Sequence, residues 1–235
     1  MLEIIDISLG FVTLTLLEIV LGIDNLVFLA ILSQRLPKHL QKKARQLGLT
    51  LAWVTRLILL ASVIWLTKLT APLLSFYEFS FSGRDLFLIA GGLFLLTKST
   101  QEIYAEIEPN GTERQIKTKY ATFGAIIIQI ALLDIVFSLD SVLTAIGLTQ
   151  HFLLMAAAIT IAIIAMIFAS EPLSNFIARH PSVKMLGLSF LILIGMVLIA
   201  DGFSFHIPRA YIYFAMGFSL LVETLNLIRK KRRKN

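Results

Sequence analysis

The sequence predicts an all-α, polytopic membrane protein of seven transmembrane helices. Three observations carry that reading. Hydrophobic residues make up 57% of the 235-residue chain and charged residues 15%, where a soluble domain has about 25% charged residues. The mean hydropathy is +0.84. Seven apolar runs approach or exceed the roughly 20 residues that a helix needs to cross a hydrocarbon core, and the charges collect between the runs.

The runs are 8–32, 47–68, 85–105, 122–148, 152–172, 184–203 and 209–228. The gap at 69–84 holds Pro72, Gly83 and several aromatic residues, as an interfacial loop would. The gap at 106–121 is the most polar stretch and contains Pro109-Asn110-Gly111, a turn or linker signal. The acidic start, Glu3 and Asp6, lacks the basic n-region of a secretory signal. With no cysteine in the chain, disulfides, thiolate metal sites and thiol redox chemistry are excluded.

Lys and Arg in the loops set the orientation. Arg35, Lys38, Lys42, Lys43 and Arg45 precede the second run; Arg114, Lys117 and Lys119 precede the fourth; Arg179 and Lys184 precede the sixth. Residues 229–234 add six more. With seven spans all of these fall on one face, against Lys68, Arg84 and Arg209 on the other. The N-terminus is therefore expected outside and the C-terminus in the cytoplasm. The basic tail, beside a membrane helix, reads as an anchor on anionic lipid rather than a nucleic-acid site.

Two segments repeat. Glu18-Ile19-Val20-Leu21-Gly22-Ile23-Asp24-Asn25 matches Asp134-Ile135-Val136-Phe137-Ser138-Leu139-Asp140-Ser141 at a constant offset of 116, as from Glu18 to Asp134. The expected organisation is one membrane domain over 1–235: repeat one at 8–105, repeat two at 122–203, helix seven at 209–228 and a tail at 229–235. Three spans per repeat make the second copy enter from the opposite face, a common transporter plan with its site at the repeat interface.

Ionised groups inside a bilayer are costly and usually face a bundle interior or a water path. Glu18, Gly22 and Asn25 share one helical face, as do Asp134, Ser138 and Ser141. Asp24 lies about 120° from Glu18 on an ideal helix; it reaches the same cavity only from the flank or if the helix loosens near Gly22. Asp140 stands likewise to Asp134. The topology puts Glu18 and Asp134 near the midplane, with Asp24 toward the cytoplasm and Asp140 toward the exterior, as a ladder. Carboxylate, amide and hydroxyl oxygens are hard ligands that suit magnesium, calcium or manganese(II). Paired carboxylates also share a proton when no ion is bound, a route to proton-coupled exchange. The competing reading is structural, with the acids satisfied by Asn25, Ser138, Ser141 or Thr15; a proton relay without metal is a third.

Among the remaining charges, Arg56 lies deep enough to neutralise the acids or gate the site. Lys98 is expected to snorkel to the interface, and Asp201 and Glu171 to be interfacial. Glu102, Glu106 and Glu108 read as a solvated helix end, Glu223 and Asn226 as interface residues, and lone His206 as no metal ligand. No glycine-rich phosphate loop, nucleophile elbow or HExxH is present in the sequence, so no enzymatic activity and no bound cofactor are expected.

The two acidic motifs, with Gly83-Arg84-Asp85-Leu86, Ala90-Gly91-Gly92-Leu93-Phe94-Leu95-Leu96, Ser170-Glu171-Pro172 and His180-Pro181, make residues 8–228 resemble the TerC family of integral membrane proteins. The resemblance implies seven helices, a place among LysE-like cation exporters, and manganese(II) efflux, with some members supplying metal to exported proteins. It implies the short form, without a cytoplasmic regulatory domain. Carried over, the metal positions are Glu18, Asp24, Asn25, Asp134, Asp140 and Ser141. The expected activity is thus cation export by exchange with protons; the alternatives are a membrane scaffold for secretion or stress complexes, and a calcium or proton carrier.

Overall fold

The computed structural model describes residues 2–62, 72–76, 79–107, 122–148 and 151–232. Among these residues there are seven helices: α1 (Leu2–Ser33), α2 (Lys38–Ala61), α3 (Gly83–Ile107), α4 (Phe123–Leu148), α5 (Phe152–Arg179), α6 (Pro181–Gly202) and α7 (Arg209–Arg232). Five are long and apolar enough to cross a membrane: α1 from Ser8, α2, α5, α6, and α7 over Ala210–Lys230. Phe123–Ser138 of α4 is a shorter apolar stretch, and α3 carries Arg84, Asp85, Lys98, Glu102 and Glu106.

Several boundaries differ from expectation. The second helix begins at Lys38, not near 47, because Pro37 ends the turn after α1 and the stripe Ala44, Arg45, Gly48, Leu49, Ala52 and Arg56 is buried at helical spacing. The basic segment is thus mostly helix. The fifth helix outlasts the expected run at 152–172: α5 continues through Pro172 to Arg179, and only His180 separates α5 from α6. The expected loop at 69–84 contains a short antiparallel hairpin, β1 (Pro72–Phe76) and β2 (Phe79–Ser82), pairing Phe76 with Phe79 and Ser75 with Ser80. The basic tail is helical as far as Arg232.

The chain divides into two compact units. One comprises residues 1–71 and 113–176, the other 72–112 and 177–235. Each draws on both halves of the sequence.

In the second unit α3 packs on α6 and α6 on α7. A capping box starts α3: the Ser82 hydroxyl donates to Asp85 Oδ2 at 2.7 Å, and the Asp85 amide donates back to Ser82 Oγ at 3.2 Å. This gives Gly83-Arg84-Asp85 a structural role. The helices cross antiparallel, with Gly92 beside Gly195 and Gly202 beside Ile89. A Cβ on Gly92 would lie 2.6 Å from the Gly195 carbonyl oxygen, so the backbones touch as small residues permit in membranes. Gly92→Val is expected to lower stability by about 1–3 kcal/mol through overpacking, read as a lower midpoint of unfolding in detergent.

The first unit gathers α1, α2 and α4, with α1 and α2 each against α4. Asn25 meets Asp134, while Leu29 and Ile130 both close on Gly48. Those pairs make α1 antiparallel to α4. Arg56 meets Glu18, which makes α2 antiparallel to α1. Met166 of α5 packs on Gly22, where a Cβ would lie 2.6 Å from its sulfur. Trp53 of α2 donates its indole N–H to Thr160 of α5 at 3.0 Å.

Candidate functional site: a buried carboxylate pair bridged by arginine

Three charged side chains meet in the interior of the first unit. Glu18 on α1 is 0% exposed, Arg56 on α2 is 2% and Asp134 on α4 is 5%. Arg56 Nη1 donates to Glu18 Oε2 at 2.8 Å, and Nη2 donates to Asp134 Oδ1 at 3.1 Å. The planar guanidinium fork suits this task, presenting separate donors to two acceptors.

Asp134 is fully engaged. Its Oδ1 also accepts from Asn25 Nδ2 at 3.1 Å, and its Oδ2 accepts from the hydroxyls of Thr55 and Ser138, each at 3.2 Å. Glu18 is not: among the described residues its Oε1 is buried without a hydrogen-bond partner, as is Asn25 Oδ1. A buried unmade hydrogen bond costs about 1–3 kcal/mol, more for a charged group. These two oxygens are therefore unmet acceptors in the interior of the unit. Taken as ionised, two carboxylates and one guanidinium leave one net negative charge.

Beside them lies a cavity of about 20 Å³ bounded by Asn25, Phe28, Gly48, Ala52, Leu133 and Asp134. That is room for about one water-sized particle. Gly48 lets α2 pack closely here, since a Cβ there would lie 2.9 Å from Ile130 Cγ2 and 3.1 Å from Leu29 Cδ1.

The structure thus brings together Glu18, Asn25 and Asp134 of the six expected site residues. Asp24 is half-buried on α1, and the ion pairs of Arg56 go to Glu18 and Asp134. Helix α1 continues unbroken through Gly22: the expected loosening is absent, because Gly22 accommodates Met166 instead. The side chains of Asp140 and Ser141 lie outside the described residues. Among the described residues no three acidic or histidine side chains gather in a metal-binding group. Thr55 was not anticipated; its position next to Arg56 on an amphipathic helix was the available signal. Thr15, considered as a partner, bonds the Phe11 carbonyl at 2.8 Å.

The other expectations divide. Arg56 pairs with both acids. Lys98 stays within its own helix, near Gln101 and the Phe94 ring. Glu171 forms an exposed ion pair with Lys42 at 3.1 Å, of small energetic weight. Glu102 is buried rather than solvated, as is Asp201, because both lie on the α3–α6 packing stripes. Glu106 pairs with Lys184; Glu108 lies outside the described residues. His206 is exposed, with Nδ1 3.0 Å from the Ser204 carbonyl oxygen. Glu223 is half-buried and Asn226 exposed.

Long apolar helices surrounding a buried ionic cluster define a multi-pass integral membrane protein. Residues 5–235 match the model of the integral membrane protein TerC family, and the chain belongs to that family. It is 54% identical over 220 residues to the UPF0053 inner membrane protein YgdQ of Escherichia coli (strain K12), covering 94% of this chain and 92% of the relative. It is 49% identical over 222 residues to the UPF0053 inner membrane protein YoaE of the same strain, covering 94% of this chain and 43% of that one. Identity to the UPF0053 protein YegH is 50% over 217 residues, covering 92% and 41%. No solved structure matches the chain. With its relatives in the inner membrane, the protein is a multi-pass protein of the cell membrane.

Proposed function

We propose that this chain is a secondary transporter that exports a divalent cation, manganese(II) first, in exchange for protons. The observation that carries the reading is the convergence of Glu18 and Asp134. Two acids at matched positions of a sequence repeat point at one buried spot, although they lie on different helices. The carboxylate, amide and hydroxyl oxygens here, with Glu18 Oε1 and Asn25 Oδ1 unpartnered, suit a hard cation. Manganese(II) is chosen through the family resemblance, since oxygen ligands alone also accept calcium and magnesium.

The packing supports an inverted repeat. Helices α1 and α4 run antiparallel, and so do α3 and α6, as two copies of opposite orientation require. In this reading the cation enters past Asp24 from the cytoplasm, rests between Glu18 and Asp134, and leaves past Asp140. Carboxylates that release it take up protons.

One observation favours the scaffold alternative: both oxygens of Asp134 are already hydrogen-bonded. Purified protein in vesicles loaded with a metal-sensitive dye separates the readings. Manganese(II), calcium and magnesium are offered in both directions of a pH gradient. The transporter gives proton-gradient-dependent manganese(II) flux; a scaffold gives none with any ion, and a calcium carrier prefers calcium.

A further inference from the structure

Arg56 holds one oxygen of each carboxylate between which the proposed ion would rest. One guanidinium nitrogen sits on Glu18 Oε2 and the other on Asp134 Oδ1, so the side chain spans the pair as a metal ion would. A divalent ion placed there would face a positive charge a few ångströms away, a repulsion comparable in size to the attraction of either carboxylate. Building on the transport reading above, we infer that Arg56 is a resident counter-cation. The transported ion displaces it, and it returns to the carboxylates on release.

Three features fit a displaceable arginine. Its Nε is buried with no hydrogen-bond partner among the described residues. The hydrogen bonds of its guanidinium go to the two carboxylates and to no other described residue. Helical side chains lean over the preceding turn, and there Ala52 and Gly48, four and eight residues before Arg56, border the cavity.

The consequence for transport is twofold. Competition from Arg56 weakens ion binding, so that the ion is released as well as captured. Without an ion, the arginine offsets one of the two like charges and a proton taken up offsets the other, so that the unloaded carrier returns without bare charge. A fixed structural arginine does neither.

The test compares full-length wild-type protein with Arg56→Gln and Arg56→Lys. Manganese(II) binding is read from the paramagnetic resonance of the free ion. Net efflux and manganese–manganese exchange are measured in vesicles. Removing a competitor that occupies the site most of the time raises apparent affinity in proportion, so Arg56→Gln is expected to bind about tenfold or more tightly. Its ratio of net flux to exchange is expected to fall about tenfold, because only net flux needs the unloaded return. If that variant does not fold, Arg56→Lys keeps the charge but loses the fork, and is expected to bind about threefold more tightly. Unchanged or weaker binding in the folded variant, or equal loss of net flux and exchange, overturns the inference. Glu18→Gln serves as the control. Its loss of binding alongside an unaltered Arg56 variant removes only the arginine's role, whereas wild-type binding and flux in Glu18→Gln and Asp134→Asn remove the transport reading itself.

Discussion

Glu18→Gln and Asp134→Asn are each expected to reduce manganese(II) flux at least about a hundredfold while the protein remains in the membrane. The substitutions keep shape and one carbonyl acceptor, so Arg56 retains a hydrogen bond at each position. What is lost is one negative charge beside the ion. Unit charges 4 Å apart attract by about 4 kcal/mol at an effective dielectric of about 20, and a divalent ion feels roughly twice that. A hundredfold loss corresponds to less than 3 kcal/mol, so the expected effect is conservative. Asp24→Asn is expected to have a smaller effect, about tenfold, because the carboxylates that hold the bridging arginine are Glu18 and Asp134. Initial rates in vesicles at matched protein levels check all three.

Arg56→Met is expected to cost about 3–5 kcal/mol of stability, the usual consequence of stripping a buried ion cluster of one partner. The methionine fills much of the space but leaves Glu18 and Asp134 facing each other uncompensated. Exchanging the whole cluster, Glu18→Gln with Arg56→Met and Asp134→Asn, is expected to regain most of that loss, since no unpaired charge remains. Unfolding in detergent, compared across the single and combined variants, measures this coupling. Additive losses would mean that the three side chains do not act as a unit.

The seven helices were legible because apolar length and charge segregation are bilayer constraints with few alternatives, although among the described residues only five are long and apolar enough to span. Glu18 and Asp134 were legible because a repeated acid inside an apolar run is expensive and rarely accidental. Arg56 was legible as a candidate from its depth in helix two, although sequence alone left pairing and gating equally open. Other features depend on tertiary contacts. The earlier start of α2 rests on a buried stripe that extends into a basic segment, where Lys38, Lys42 and Lys43 mask the amphipathic pattern. Helix continuity through Pro172 overrides a local breaker because the flanking residues remain packed, with Ser170 and Ser174 both buried. Gly22 invited a loosened helix but instead receives the sulfur of Met166, a residue 144 positions away (22 to 166). The burial of Glu102 depends on the α3–α6 crossing at Gly92 and Gly195, a contact that no local pattern specifies.

The transport account is tested most directly by locating the ion. Crystals of the full chain grown with manganese(II) and measured for anomalous scattering of that metal are expected to show one strong peak between the Glu18 and Asp134 carboxylates. The Arg56 guanidinium should be drawn away from both. A structure with Arg56 still seated on the two carboxylates and manganese(II) only at the surface would contradict it.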